Sequence, residues 1–131
     1  MERPGFSKAT AARAGVALKA AFNILDKWGC STEQQRAIVQ LPKSSYYKLR
    51  NDPTAAKLNA DQVERISYLL NIHASLRLIF ENPKNLYGYM SMKNEAPPFN
   101  GMAPLDVIAK GRFGPLYETF KHVDSLRGGQ W

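Results

Sequence analysis

Residues 32–50 read TEQQRAIVQLPKSSYYKLR, and this stretch decides the fold. Ser31 and Thr32 are each followed three residues later by a glutamine, Gln34 or Gln35. That spacing lets a hydroxyl and an amide each cap the other residue's backbone N–H, which opens a helix. The helix predicted from about Thr32 to Gln40 ends at Leu41-Pro42, because proline restricts its predecessor and brings no N–H to the preceding turn. A second short helix is expected over Lys43 to Arg50, stopped by Asn51-Asp52-Pro53. At helical spacing Tyr46 and Leu49 face the core, while Ser44, Ser45, Tyr47 and Lys48 face out. Two short helices joined by a tight turn form the helix-turn-helix layout. Outward hydroxyls and cations near the start of the second helix suit phosphates and base edges in a major groove. The candidate DNA contacts are therefore Lys43, Ser44, Ser45, Tyr47, Lys48 and Arg50. Where such turns often carry glycine, this chain has Gln40 or Leu41.

Upstream, residues 1–8 read as a loose arm around Pro4 and Gly5. From Thr10 to Trp28 an Ala-rich run carries Val16, Leu18, Phe22, Leu25 and Trp28 at helical spacings, and Gly29 supplies the stop. Downstream, residues 54–59 read as a linker, and Asn59 or Asp61 caps a long helix from about Ala60 to Phe80. Val63, Ile66, Leu69, Leu70, Leu76, Ile79 and Phe80 lie along it, more apolar positions than one face needs, so it is expected to supply a homodimer interface. His73 falls on or beside this stripe and is expected as a packed, hydrogen-bonded residue. Residues 83–104, rich in Asn, Pro, Gly and Met, read as a helical turn around Leu86–Met90 followed by an irregular loop. A short helix from Pro104 to Lys110, a stop at Gly111, and a last helix from Phe113 to Leu126 complete the chain. No segment alternates with period two, so the expected class is all-α, with a DNA-binding domain over residues 1–59 and a second domain over residues 60–131.

Charge divides along the same line. The 131 residues carry 18 Lys and Arg against 11 Asp and Glu, a net charge of +7. Residues 1–60 hold ten of the basic and four of the acidic side chains, whereas residues 61–131 hold eight and seven. A basic half joined to a near-neutral half points to one half meeting a polyanion. With 44% hydrophobic and 22% charged residues the chain is a folding one. It has no run near the roughly 18 apolar residues of a membrane span. The start lacks the layout of a secretory signal and Cys30 is the single cysteine, so the expected compartment is the cytoplasm. No catalytic residue, cofactor or metal is expected: Cys30 has no nearby histidine, His73 and His122 fall in different helices, and Gly128-Gly129 lacks the setting of a phosphate loop.

The segment Asn82-Pro83-Lys84-Asn85-Leu86-Tyr87-Gly88-Tyr89-Met90, then Asn94, Phe99-Asn100-Gly101, Pro104-Leu105-Asp106, Gly111 and Asp124-Ser125-Leu126-Arg127-Gly128-Gly129 resembles the toxin-binding domain of Xre/MbcA/ParS-type antitoxins. The likeness covers about residues 61–131, and the upstream part resembles the Xre-like helix-turn-helix half of the same proteins. It implies an antitoxin of a type II pair that inhibits a RES-type, NAD-consuming toxin and represses its own operator DNA. The chain's C-terminal end, Arg127, Gly128, Gly129, Gln130 and Trp131, would reach the toxin's NAD pocket. NAD then belongs to the partner, and the antitoxin itself needs no cofactor. The competing expectation is a stand-alone helix-turn-helix regulator whose C-terminal domain only dimerises. Within the motif, Gly88 and Gly101 are expected to permit turns or close approach, and Pro104-Leu105-Asp106 to start a helix.

Overall fold

The computed structural model describes residues 8–127, and all of the regular structure in them is helical. The α-helices are α1 (Lys8–Lys27), α2 (Thr32–Val39), α3 (Lys43–Asn51), α4 (Ala60–Ile79), α5 (Pro83–Gly88), α6 (Pro104–Ile108) and α7 (Phe113–Leu126). Two 3-10 turns, Pro53–Ala55 and Tyr89–Ser91, lie between them. The arm expected over residues 1–8 falls almost wholly outside the described residues, as do Gly128, Gly129, Gln130 and Trp131.

The helix ends follow their local chemistry. Gly29 takes φ +79°, and the N–H groups of Gly29 and Cys30 donate to the carbonyls of Asp26 and Leu25, which closes α1. Of the two possible caps for α2 it is Ser31 that serves: its Oγ accepts from Gln34 N at 3.1 Å and its own N–H donates to Gln34 Oε1 at 2.8 Å. Asn59 and Gln62 form the same reciprocal pair at the start of α4. Gln40, and not Leu41, takes the left-handed position that glycine fills in other such turns, at φ 63° and ψ 50°. A non-glycine residue there costs about 1 kcal/mol, and Gln40 Nε2 offsets it by donating to Ala37 O at 2.7 Å.

Residues 54–59 are more than a linker. The 3-10 turn Pro53–Ala55 folds back on α1, where Gly15 leaves room for the Pro53 carbonyl and Thr54 Cα. The core is continuous from Leu18, Phe22, Leu25 and Trp28 through Ile38, Tyr46 and Leu49 to Leu116 and Val123. Helix α4 is its common wall, packed against α1 on one side and α7 on the other. Ile66, Leu69, Ile72 and Leu76 make its buried stripe, each worth about 2 kcal/mol of burial. Ile72 belongs to that stripe although periodicity passed over it, while Val63 is 41% and Leu78 71% exposed.

Two further expectations need correction. Gly88 is helical at φ −79° with open space where a Cβ would sit, so neither a turn nor a close approach requires it. His73 is half-buried and stacked on Tyr87 at 5.8 Å, but its Nδ1 is buried with no hydrogen-bond partner among the described residues. Gly101 does take φ +95°, beside Asn100 at φ 50°, and Pro104 opens α6 with Leu105 buried.

Candidate nucleic-acid interface

Helix α3 owes its placement to two inward side chains. Tyr46 and Leu49 are buried, which fixes the rotation of the helix and turns Lys43, Ser44, Tyr47 and Lys48 to solvent, with Ser45 half-buried. The Tyr46 hydroxyl donates to Gln35 Oε1 at 3.0 Å, and Gln35 Nε2 donates to Asp26 Oδ1 at 2.8 Å and to Cys30 O at 3.2 Å. A chain of hydrogen bonds from the Tyr46 hydroxyl through Gln35 to the Asp26 carboxylate thus ties α3 to α2 and to the end of α1. Burial pushes the Tyr46 phenol above its ordinary pKa, which keeps it a donor. Burial, with Asp26 nearby, raises Cys30 to about 12, so its thiol is protonated and unreactive at neutral pH.

The exposed face carries the chemistry expected of a DNA contact. Tyr47 is 52% exposed, held edge-on to Tyr46 at 5.3 Å, and presents its ring outward. Arg50 behaves differently from the other predicted contacts. Its guanidinium pairs with Asp26 at 2.9 Å and lies over the Phe22 ring at 4.9 Å, so it clamps α3 to α1. Lys57, which sequence reading left in the linker, joins Ser45 and Lys48 along an open depression of about 240 Å³ floored by Leu41, Pro42 and Leu49. It arrives there because the 3-10 turn redirects the chain, a feature with no periodic signal. On the other side of Leu41 and Pro42, Glu33, Arg36, Ala37 and Gln40 line a second depression of about 420 Å³. Arg36 is directed across it, its Nε donating to Leu41 O at 3.3 Å.

Below this face lies a polar group that sequence reading missed. Arg65, 6% exposed, reaches from α4 to the end of α2. Its Nη1 donates to Ile38 O at 3.3 Å and to Gly111 O at 2.8 Å, and its Nε donates to Asp61 Oδ2 at 2.8 Å. Gln62 Nε2 donates to Gln40 O at 2.8 Å. The sequence marks Arg65 only as a charged residue beside Ile66, as it marks Glu64, and names none of these partners.

Residues 7–71 match the antitoxin Xre-like helix-turn-helix domain. The uncharacterized protein y4oB of Sinorhizobium fredii (strain NBRC 101917 / NGR234) is 31% identical over 119 residues, which cover 90% of this chain and 89% of that protein. The chain belongs to that family. Its N-terminal part is an Xre-like helix-turn-helix domain of the antitoxin type. No solved structure matches it significantly. The Xre-like match takes in α1, α2, α3 and the first half of α4, so it includes both the exposed face of α3 and the Gln62–Arg65 group beneath it.

Of the residues expected to block a toxin, Arg127 is described. It is half-exposed and its Nε pairs with Asp124 Oδ1 at 2.7 Å at the end of α7. Gly128, Gly129, Gln130 and Trp131 lie outside the described residues. Among the described residues no three His, Cys, Asp or Glu side chains are grouped to hold a metal ion, and no helix is long and apolar enough to cross a membrane.

Proposed function

We propose that the chain is the antitoxin of a type II toxin–antitoxin pair that acts by binding alone. In this reading residues 1–59 hold operator DNA and residues 60–131 bind a RES-type, NAD-consuming toxin, with residues 127–131 closing its active site. The observation that carries the proposal is the antitoxin-type Xre-like domain over residues 7–71, whose α3 turns Lys43, Ser44, Tyr47 and Lys48 to solvent. Ser45 and Lys48 line a groove with Lys57, and together these side chains supply cations and hydroxyls to a phosphate backbone. Arg50 contributes by fixing the helix against Asp26, and it meets DNA only where it exchanges that partner for a phosphate. Two copies bind together. An apolar groove of about 170 Å³ lined by Ala14, Ala17, Leu58, Val63, Ile66 and Leu70 supports a contact between copies along α1 and α4.

Co-expression with the product of the adjacent gene tests the partner. A complex that co-purifies, and whose toxin regains NAD consumption when residues 127–131 are deleted, is the expected result. A chain that retains no neighbour yet binds its upstream DNA fits a stand-alone regulator instead. On the DNA side, Lys48→Ala lowers affinity and reduces the slope of log affinity against log salt by about one, as loss of one phosphate contact requires.

A further inference from the structure

We propose that Arg65 is a positioning residue for DNA binding: from α4 it ties the α2–α3 turn to the bend between α6 and α7, and so sets the direction in which α3 is presented. The inference rests on the helix-turn-helix reading above.

A guanidinium inside a protein is costly unless its donors are met. Here they are met by Asp61, by the carbonyl of Ile38 in the last turn of α2, and by the carbonyl of Gly111, with the Phe113 ring 5.8 Å away. The last carbonyls of a helix have no N–H of their own helix to accept from, so Arg65 supplies one to α2 at the point where the turn begins. The turn itself stands on Gln40, a left-handed residue with a side chain. Three bonds hold it there: its carbonyl accepts from Gln62 Nε2, and its Nε2 donates to Ala37 O and, at 3.3 Å, to Gly111 O. Gly111 O therefore accepts from both Arg65 and Gln40. At φ +84°, with an added Cβ 3.0 Å from Gln40 Nε2 and 3.1 Å from Ala37 O, position 111 has no room for another side chain.

The consequence for α3 is geometric. The helix starts three residues beyond Gln40, after Pro42, and is about 13 Å long, so a tilt of about 10° at the turn moves its far end by about 2 Å. A displacement of that size takes a hydrogen bond out of range. Lysine cannot replace arginine in this role, since one ammonium on a flexible stem does not hold two carbonyls and a carboxylate in a fixed fork.

The test uses the full chain and a duplex from upstream of its own gene. Arg65→Lys and, independently, Gly111→Ala are compared with Val123→Ala, a cavity variant in the buried face of α7. The first two variants are expected to melt cooperatively but to bind about tenfold more weakly, a difference of ~1.4 kcal/mol, with the salt slope nearly unchanged because every cation of the α3 face is retained and the misalignment costs short-range hydrogen bonds. Val123→Ala, matched or exceeding them in lowered melting temperature, is expected to bind as the parent chain does. If Arg65→Lys does not fold, Gly111→Ala carries the comparison. Parental affinity in folded Arg65→Lys or folded Gly111→Ala overturns the proposal. So does an equal weakening in Val123→Ala, which makes the effect one of stability. A salt slope that falls by about one in Arg65→Lys but not in Gly111→Ala overturns it too, since Arg65 would then be touching DNA itself. A parent chain that binds no duplex, with Lys48→Ala indistinguishable from it, overturns the helix-turn-helix reading on which the proposal stands.

Discussion

Gln35 and Arg65 are both buried polar side chains, and they serve two regions of the molecule in opposite ways. Gln35 is neutral, and its three partners, Asp26, Cys30 O and Tyr46, all lie within α1–α3 or the turn between α1 and α2. Arg65 is charged, and its partners lie on α4, at the end of α2 and at the bend before α7. The helix-turn-helix region satisfies its buried amide and hydroxyl groups locally, with the Asp26 carboxylate as an acceptor at its edge. The region beyond it is joined to the first by the side-chain amides of Gln40 and Gln62 and by one buried, multivalent cation. A region held by short-range, neutral side chains tolerates the loss of any single bond better than a seam centred on one buried charge.

Breaking each network measures that difference. Arg65→Ala leaves the Ile38 carbonyl without its donor, Gly111 O with Gln40 alone and Asp61 without its partner, and it is expected to cost about 3 kcal/mol, the low end for a broken buried pair because Asp61 is half-exposed and regains water. Gln35→Ala strands the Tyr46 hydroxyl and is expected to cost about 2 kcal/mol. Urea denaturation of both variants gives the order directly, and the reverse order contradicts the comparison. Tyr46→Phe, which removes only the hydroxyl, is expected to cost about 1 kcal/mol. Because Gln35 and Tyr46 share a bond, their double variant should fall short of the sum by about 1 kcal/mol, whereas Gln35→Ala and Arg65→Ala should add within about 0.5 kcal/mol. Non-additivity between the last two would mean that the regions are one network.

The same contrast explains what was legible in the sequence. Ser31–Gln34, Gly29, Pro42 and the inward pair Tyr46 and Leu49 act over a few residues, so spacing alone placed α1, α2 and α3 within about two residues of their ends. The exposed face of α3 followed from the same spacing. Arg65 was not legible as a site residue, because its decisive acceptor, Gly111 O, stands 46 residues away along the chain. Gly111 itself was read correctly as a stop, but its closeness to Gln40 belongs to the tertiary structure. Lys57 was hidden for a related reason: a 3-10 turn of three residues leaves no periodic trace, yet it decides which groove the following lysine enters. Gly88 shows the converse, a glycine within a family-like motif whose backbone and surroundings here would accept a Cβ.

The smallest expected effect is on pH dependence, and it separates the two regions by titration. Both histidines lie outside α1–α3. Burial lowers the pKa of His73 below its ordinary 6.5, and Arg77 and Lys27 lower it further. The geometry agrees, since the imidazole stacks on Tyr87 and the Lys27 ammonium already sits 5.0 Å from that same ring, so a proton on His73 adds a further cation to one small neighbourhood. Burial lowers His122 as well, where its ring meets Phe99 edge-on at 5.1 Å. A histidine whose folded pKa is depressed binds its proton more readily when the chain is unfolded. The stability it confers is therefore complete above 6.5, falls as pH drops below that value, and levels off once the folded state is protonated too. From about pH 7.5 to about pH 5 the chain should lose stability, and His73→Phe, which keeps a stacking ring and cannot be protonated, should flatten much of that loss. Amide exchange locates the effect. Acid should quicken exchange in α5 and the C-terminal half of α4, around His73, before it does so in α2, whose buried Gln35 bonds to the Tyr46 hydroxyl and which contains no histidine. If α2 loosens first, the self-contained region is the weaker of the two.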